Sequence, residues 1–345
     1  MKDSLLRDRS LRTGSLRTGP VRDGSLWSGS LWLAWRQQRV LVAIGAAVLA
    51  VATAIAVYSR SDMLDALHSG LFDHCGTGPL SCLRTDTSLP PLMLDIAPLK
   101  YLGMVNIALP VLIGVFWGAP LLGRDRELGT HRMVLAQGIS RGQWFASRFA
   151  FAAATTAALS GLLAGVFAWW RGPAADRSYG LFWYDVTALS GSGPRVVAAA
   201  LFGLAAGTLL GLLTRRVLAA MGLTLLVTGA MTLLLEWAHR TRLLVSPHTY
   251  VSAGIVPKAP MGEKWSTGHY GLVTASGRHD DVLKCPFPSG AELKECMAQH
   301  GYVARFYEAN PAGDYWTFQW TDTAVLGGLA LLLTAATVLL LRRRV

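Results

Sequence analysis

The chain has 345 residues, of which 52% are hydrophobic and only 15% charged, with a mean hydropathy of +0.37. A soluble domain carries about 25% charge, so this balance excludes an ordinary soluble protein and points to a polytopic membrane protein. The formal net charge of +11 does not signal nucleic acid, because the basic residues collect at the ends of apolar segments, as the positive-inside rule describes.

Residues 4–30 carry a loose five-residue repeat, SLRTG, SLRTG, PVRDG, SLWSG. A period of five fits neither a helix face nor a strand, and Gly, Ser and Arg dominate. Residues 1–39 are therefore expected to be a basic, disordered tail attracted to anionic lipid. The tail is too polar for the core of a signal peptide, and the position of the start codon stays open.

A six-span domain is expected over 40–345. The spans run about Val40–Tyr58, Pro98–Leu122, Trp144–Trp170, Val196–Thr214, Val217–Leu235 and Thr323–Leu341, each near the roughly 20 residues a bilayer needs. The expected class is all-helical. Six spans put both termini on one side. The tail, Arg124, Arg126, Arg132, Arg141, Arg215, Arg216 and Arg342-Arg343-Arg344 make that side the cytoplasm of a cell whose cytoplasmic membrane holds the chain. Trp27, Trp32, Trp35, Trp117 and Trp144 fall at the inner boundary. Trp169, Trp170, Trp316 and Trp320 fall at the outer one, as aromatic belts do.

Three external segments follow from this topology: Ser59–Ala97, Arg171–Arg195 and a long loop over 236–322. The middle one carries Phe182-Trp183-Tyr184, suited to the membrane interface. The long one has the size of a small folded cap, but its Pro and Gly content assigns no secondary structure. All four cysteines lie in external loops: Cys75, Cys82, Cys285 and Cys296. That placement fits two disulfides in an oxidising compartment. Of three possible pairings the two local ones, Cys75–Cys82 and Cys285–Cys296, are preferred. Their spacing matches no zinc template.

Between the second and third spans lies the most informative polar stretch, Gly123 to Trp144. Arg124, Asp125, Arg126 and Glu127 alternate in sign, Gly129-Thr130 breaks the run, and Ser140 to Gln143 reads as a capping box with Ile139 and Trp144 as its staple. A plain wet loop would share the charges but not the fixed exit. Glu127 is expected to make the charged contact with a partner protein. A local pair with His131 or Arg124 would contribute only about 0.5 kcal/mol.

Small residues recur every fourth position in three spans: Gly114 and Gly118, Gly161 and Gly165, and Gly203, Gly207 and Gly211. This spacing lets helix backbones approach closely in lipid. It serves either packing within one subunit or a seam between subunits. Among charges near the spans, Arg148 can snorkel to the inner surface and Lys100 to the outer one. Glu236 and His239, at the end of the fifth span, are expected to be solvated. So is the His279-Asp280-Asp281 cluster. No phosphate-binding loop, H-E-x-x-H, G-x-S-x-G or G-x-G-x-x-G occurs, so the chain is not expected to be an enzyme or to hydrolyse ATP.

Several of these stretches are also familiar. Glu127-Leu128-Gly129-Thr130 and Ser140-Arg141 resemble the loop after the second span in permeases of type-2 ABC exporters. Trp32-Leu33-Ala34-Trp35-Arg36-Gln37-Gln38-Arg39, Asp185-Val186-Thr187, Arg215-Arg216 and Tyr315-Trp316-Thr317-Phe318-Gln319 are similar to matching positions in actinobacterial members of that group. The resemblance covers roughly Leu31 to the C-terminus. It implies that residues 123–143 form a coupling helix on a separate ATP-binding subunit, with Arg124, Arg126, Glu127, Gly129, Thr130 and Arg141 at the contact. It implies a homodimer or a pair with a paralogous permease, set in membrane lipid. No cofactor belongs to this chain, since the partner binds the ATP. Two rivals remain: an integral-membrane enzyme, or an assembly or anchoring protein, each with its site in 236–322.

Overall fold

The computed structural model describes residues 23–68, 97–127, 141–175, 182–214, 216–241, 243–252, 264–281 and 291–344. Six helices are long and apolar enough to cross a membrane: Ala34–Asp65, Ala97–Arg124, Gly142–Arg171, Pro194–Leu213, Val217–Arg240 and Ala312–Arg343. They match the six expected spans in order and approximate length. In the numbering used below, α1 is Asp23–His68 and α2 is Ala97–Ile113. A π-helical turn, Gly114–Gly118, leads from α2 into α3, Ala119–Glu127. Then come α4 (Arg141–Arg171), the short α5 (Val186–Gly191), α6 (Pro194–Leu213) and α7 (Val217–Arg240). The last span is α9, Tyr315–Arg344.

The first helix begins at Asp23, inside the stretch expected to be a disordered tail. The five-residue repeat ends near there. From Leu26 onward, Trp and Leu recur often enough to carry a helix into the membrane.

The fourth span, α6, is the hub. It is the most buried of the six and packs against α2, α4, α7 and α9. Its glycine row faces α2 of the same chain. A methyl group on Gly203 would run into the Pro110 carbonyl, one on Gly207 into the Gly114 carbonyl, and one on Gly211 into the Ala119 carbonyl. In return, a methyl on Gly114 would lie 2.7 Å from the Gly203 carbonyl oxygen, and one on Gly118 2.6 Å from that of Leu204. The choice left open by the spacing is thus settled: the row is an intrasubunit seam. Pro110 removes one helical N–H from α2, and the backbone widens into the π turn directly after it, where the two helices touch. The Gly161 and Gly165 row behaves differently. A methyl on Gly165 would meet nothing, and one on Gly161 only Val197 at 3.6 Å.

The segment between α7 and α9 is not a bare loop. It holds a four-stranded antiparallel sheet in the order β1-β4-β2-β3, the one addition to an otherwise helical fold among the described residues. The strands are β1 (His248–Ser252), β2 (Lys264–Thr274), β3 (His279–Asp281) and β4 (Tyr302–Pro311), with helix α8 (Ala291–Gln299) before β4. Gly277, at φ 79°, closes the β2–β3 hairpin in a conformation that other residues seldom adopt. The expected solvated cluster on β3 is tied into the sheet, where the Tyr302 hydroxyl donates to Asp280 at 3.0 Å and His279 stacks on Phe306.

An aromatic cluster seats the sheet on the helices. Trp265 of β2 stacks on Tyr184 with ring centroids 6.3 Å apart and packs 5.6 Å from Phe318 of α9. Phe182 and Trp183 are buried there, rather than lying at the membrane interface as expected. Trp117 and Trp170 are likewise buried in the bundle. Trp32, Trp35, Trp169, Trp316 and Trp320 are about half exposed, as belt residues would be.

The seam makes a direct prediction. Gly207→Leu abolishes a monodisperse chain on size-exclusion chromatography in mild detergent. Gly165→Leu, with open space around it, leaves the profile unchanged.

Candidate functional site

The end of the bundle under the sheet has an unusual backbone. Between α5 and α6 the helix breaks at Gly191-Ser192-Gly193, with Gly191 and Ser192 buried and Gly193 half-buried. Broken backbone at membrane depth is tolerated only where its polar groups find partners, and side chains from other spans supply them. Asn106 of α2 donates from Nδ2 to the Gly191 carbonyl at 2.7 Å. Gln319 of α9 donates from Nε2 to the Leu189 carbonyl at 2.7 Å, and its Oε1 accepts from the Arg195 N–H at 3.4 Å. Ser192 Oγ lies 2.8 Å from the Tyr315 hydroxyl. Gly193, at φ 73°, makes the reversal, and Pro194 starts α6 where its missing N–H costs nothing.

Directly beyond the break, three ionisable side chains meet. Arg195 is 4% exposed, Asp322 0% and His239 6%. Asp322 Oδ2 accepts from Arg195 Nε at 2.9 Å and from His239 Nε2 at 3.0 Å. Arg195 also donates to Ser190 Oγ. The shared carboxylate assigns the proton of a neutral His239 to Nε2. Arg195 sits in the first turn of α6, where the helix dipole disfavours a cation. Asp322 offsets both that and the desolvation of the guanidinium. Phe318 packs on the His239 ring with centroids 5.1 Å apart. His239 Nδ1 and Asp322 Oδ1 have no partner among the described residues.

These residues were missed in the sequence, and the reason is physical. Span boundaries are drawn where charge appears, so Arg195 and Asp322 fell just outside the fourth and sixth spans. His239 was expected to be solvated and is instead buried. Glu236, beside it, does behave as a boundary residue and pairs with Arg240 at 3.2 Å near the surface.

At the opposite end of the bundle, the polar stretch after the second span is braced by its own chain. Arg126 donates to the Leu212 carbonyl in the last turn of α6. Glu127 Oε2 accepts from the Val217 N–H, the first residue of α7, at 3.1 Å. A cation at a helix C-terminus and an anion at a helix N-terminus both suit the dipoles. Glu127 thus has an internal partner in the α7 backbone, while His131 lies outside the described residues. Arg124 is exposed on the last turn of α3. Gly129, Thr130 and the capping box at Ser140 lie outside the described residues, and α4 begins at Arg141. Cys75, Cys82 and Cys285 also lie outside them. Cys296 sits on α8 and is not a free thiol.

The buried cluster predicts a large stability effect. Asp322→Asn leaves Arg195 without a counter-charge and costs about 3–5 kcal/mol, read as a lower unfolding temperature in detergent. The double variant Arg195→Met with Asp322→Leu, which removes both charges, is less destabilised than Asp322→Asn alone.

The family model described as ABC-2 membrane transporter related matches residues 46–240, which is more than half of the chain and runs from the first span through the fifth. No curated protein and no solved structure matches the chain. The chain has six membrane-length helices, belongs to the ABC-2 membrane transporter related family and is a multi-pass membrane component of an ABC transporter.

Proposed function

We propose that the chain is the permease subunit of an ABC exporter. It moves its substrate out across the cytoplasmic membrane with ATP hydrolysed by a separate subunit. Membership of the family implies that ATP-binding partner. The single observation that carries the rest is the brace at the arginine-rich end. Arg126 and Glu127 join the stretch after the second span to the facing ends of α6 and α7. A push on that stretch would therefore move two spans at once. Arg124, Arg126, Arg216, Arg342 and Arg343 share that end, which favours placing it in the cytoplasm and the sheet outside. Arg124, Arg126, Glu127, Gly129, Thr130 and Arg141 form the proposed contact. Because Glu127 already holds α7, Arg124 becomes the foremost free-standing charge for the partner. Two copies of the chain, or this chain and a paralogue, would complete the assembly. The pairs Cys75–Cys82 and Cys285–Cys296 would staple the external loops.

Reconstitution with the cognate ATP-binding subunit tests this. The wild type stimulates ATP hydrolysis. Arg124→Glu stays folded and weakens the partner's binding by at least about tenfold, the effect of roughly 1.4 kcal/mol. Absence of both binding and stimulation by the wild type would sink the exporter reading.

Sidedness and cross-links have separate tests. An impermeant thiol reagent on intact cells labels Lys264→Cys and spares Arg343→Cys. Non-reducing mass spectrometry of protein from its native membrane finds the two local disulfides. Labelling in the reverse pattern overturns the orientation, and free thiols at all four cysteines overturn the pairing.

A further inference from the structure

Below the charged cluster lies a small internal cavity of about 30 Å³, bounded by α2, α6, α7 and α9 and by Ser190 of α5. Its polar lining is Asn106, Ser190, Arg195, Thr228 and Thr232, and the rest is apolar, including Phe202 and Leu326. Asn106 reaches the Gly191 carbonyl, so the cavity lies level with the break between α5 and α6. Asn106 is 1% exposed. Its Nδ2 is engaged with Gly191, but its Oδ1 has no partner. A buried acceptor left unsatisfied is costly, and a space of this size admits a water or one small polar group. Thr228 and Thr232 already donate to carbonyls one turn back, at 2.7 and 3.0 Å, so toward the cavity they can only accept. Arg195 supplies donors. The site therefore offers acceptors from α2 and α7 and donors from α6, inside an otherwise apolar wall.

We propose that this cavity is the polar recognition point of the transport path. It takes a group that both donates and accepts a hydrogen bond, such as the hydroxyl or amide of an otherwise apolar substrate. This deepens the exporter reading and rests on it. The group donates to Asn106 Oδ1 and accepts from Arg195. A permanent cation is excluded, because it would face a guanidinium and bring no acceptor. The substrate body needs more room than the cavity has, and α7 is the wall that can yield. Little of α7 is buried, with Leu218, Leu225, Leu226, Leu233 and Leu234 turned outward. Side chains from other spans hold its two ends, Glu127 at Val217 and Asp322 at His239. The first of these lies on the stretch proposed to receive the ATPase.

Thiol accessibility in the reconstituted complex tests the site. Thr232→Cys and, separately, Thr228→Cys are exposed to the small water-borne reagent methanethiosulfonate ethylsulfonate. The wild type provides the background from native cysteines, and Leu234→Cys is the outward-facing control. Modification of both threonine positions is expected to be about tenfold faster in the ATP-vanadate-trapped complex than without nucleotide, as a shift toward an open state requires. Leu234→Cys stays unreactive in both. In the trapped state decanol and decanamide slow modification of Thr232→Cys, and decyltrimethylammonium does not. If the complex hydrolyses ATP while neither threonine position ever reacts, the path runs elsewhere and the exporter reading survives. Protection by the quaternary ammonium equal to that by decanol overturns the proposed substrate class. A chain that neither binds nor stimulates the ATPase removes the exporter reading, and this site with it.

Discussion

The structure depends first on backbone-to-backbone contact between the second and fourth spans. In lipid there is little hydrophobic drive to press helices together, so association relies on close packing and polar contacts. Gly203, Gly207 and Gly211 remove side chains from one stripe of α6, and carbonyls of Pro110, Gly114 and Ala119 occupy that stripe. The widened turn after Pro110 shapes α2 to fit. With α6 locked to α2, its other faces are free to receive α4, α7 and α9. The hub position of the fourth span therefore follows from three missing side chains.

The polar contacts are concentrated at the two ends of that hub. At the sheet end, a broken helix is satisfied by Asn106 and Gln319, and a buried Asp322 joins α6, α7 and α9 through Arg195 and His239. At the other end, Arg126 and Glu127 bind a helix C-terminus and a helix N-terminus in turn. The fifth span contributes little buried surface of its own, so these end contacts position it. A helix held mainly at its ends by polar contacts can shift once one of them is exchanged, without dismantling a packed core. A transporter needs such a part, and the glycine-locked pair supplies the fixed frame against which it would move.

The sheet adds a third layer of constraint. It is seated through Trp265 on Tyr184 and Phe318, and Phe318 also packs on His239. Ordering of the sheet segment and burial of the charged cluster are thus parts of one aromatic assembly. The His248–Asp314 pair at 3.3 Å lies where the sheet runs into the last span.

Composition and patterning alone determined the membrane class, the six spans and their order, because roughly 20 apolar residues between polar ones have few other outcomes in a bilayer. The glycine spacing was legible too, though not its partner, since a stripe of small residues states that something comes close and not what. The sheet was hidden because Gly268 and Gly271 interrupt β2 and Gly277 closes its hairpin, so that the stretch reads as loop. The candidate site was hidden for a deeper reason. Arg195, His239 and Asp322 are separated by dozens of residues, each at a span end where a lone charge normally meets water. Only the packing of three helix ends under an aromatic lid shuts water out and makes them partners. Burial is a property of the assembled bundle, and the local sequence around each charge does not contain it.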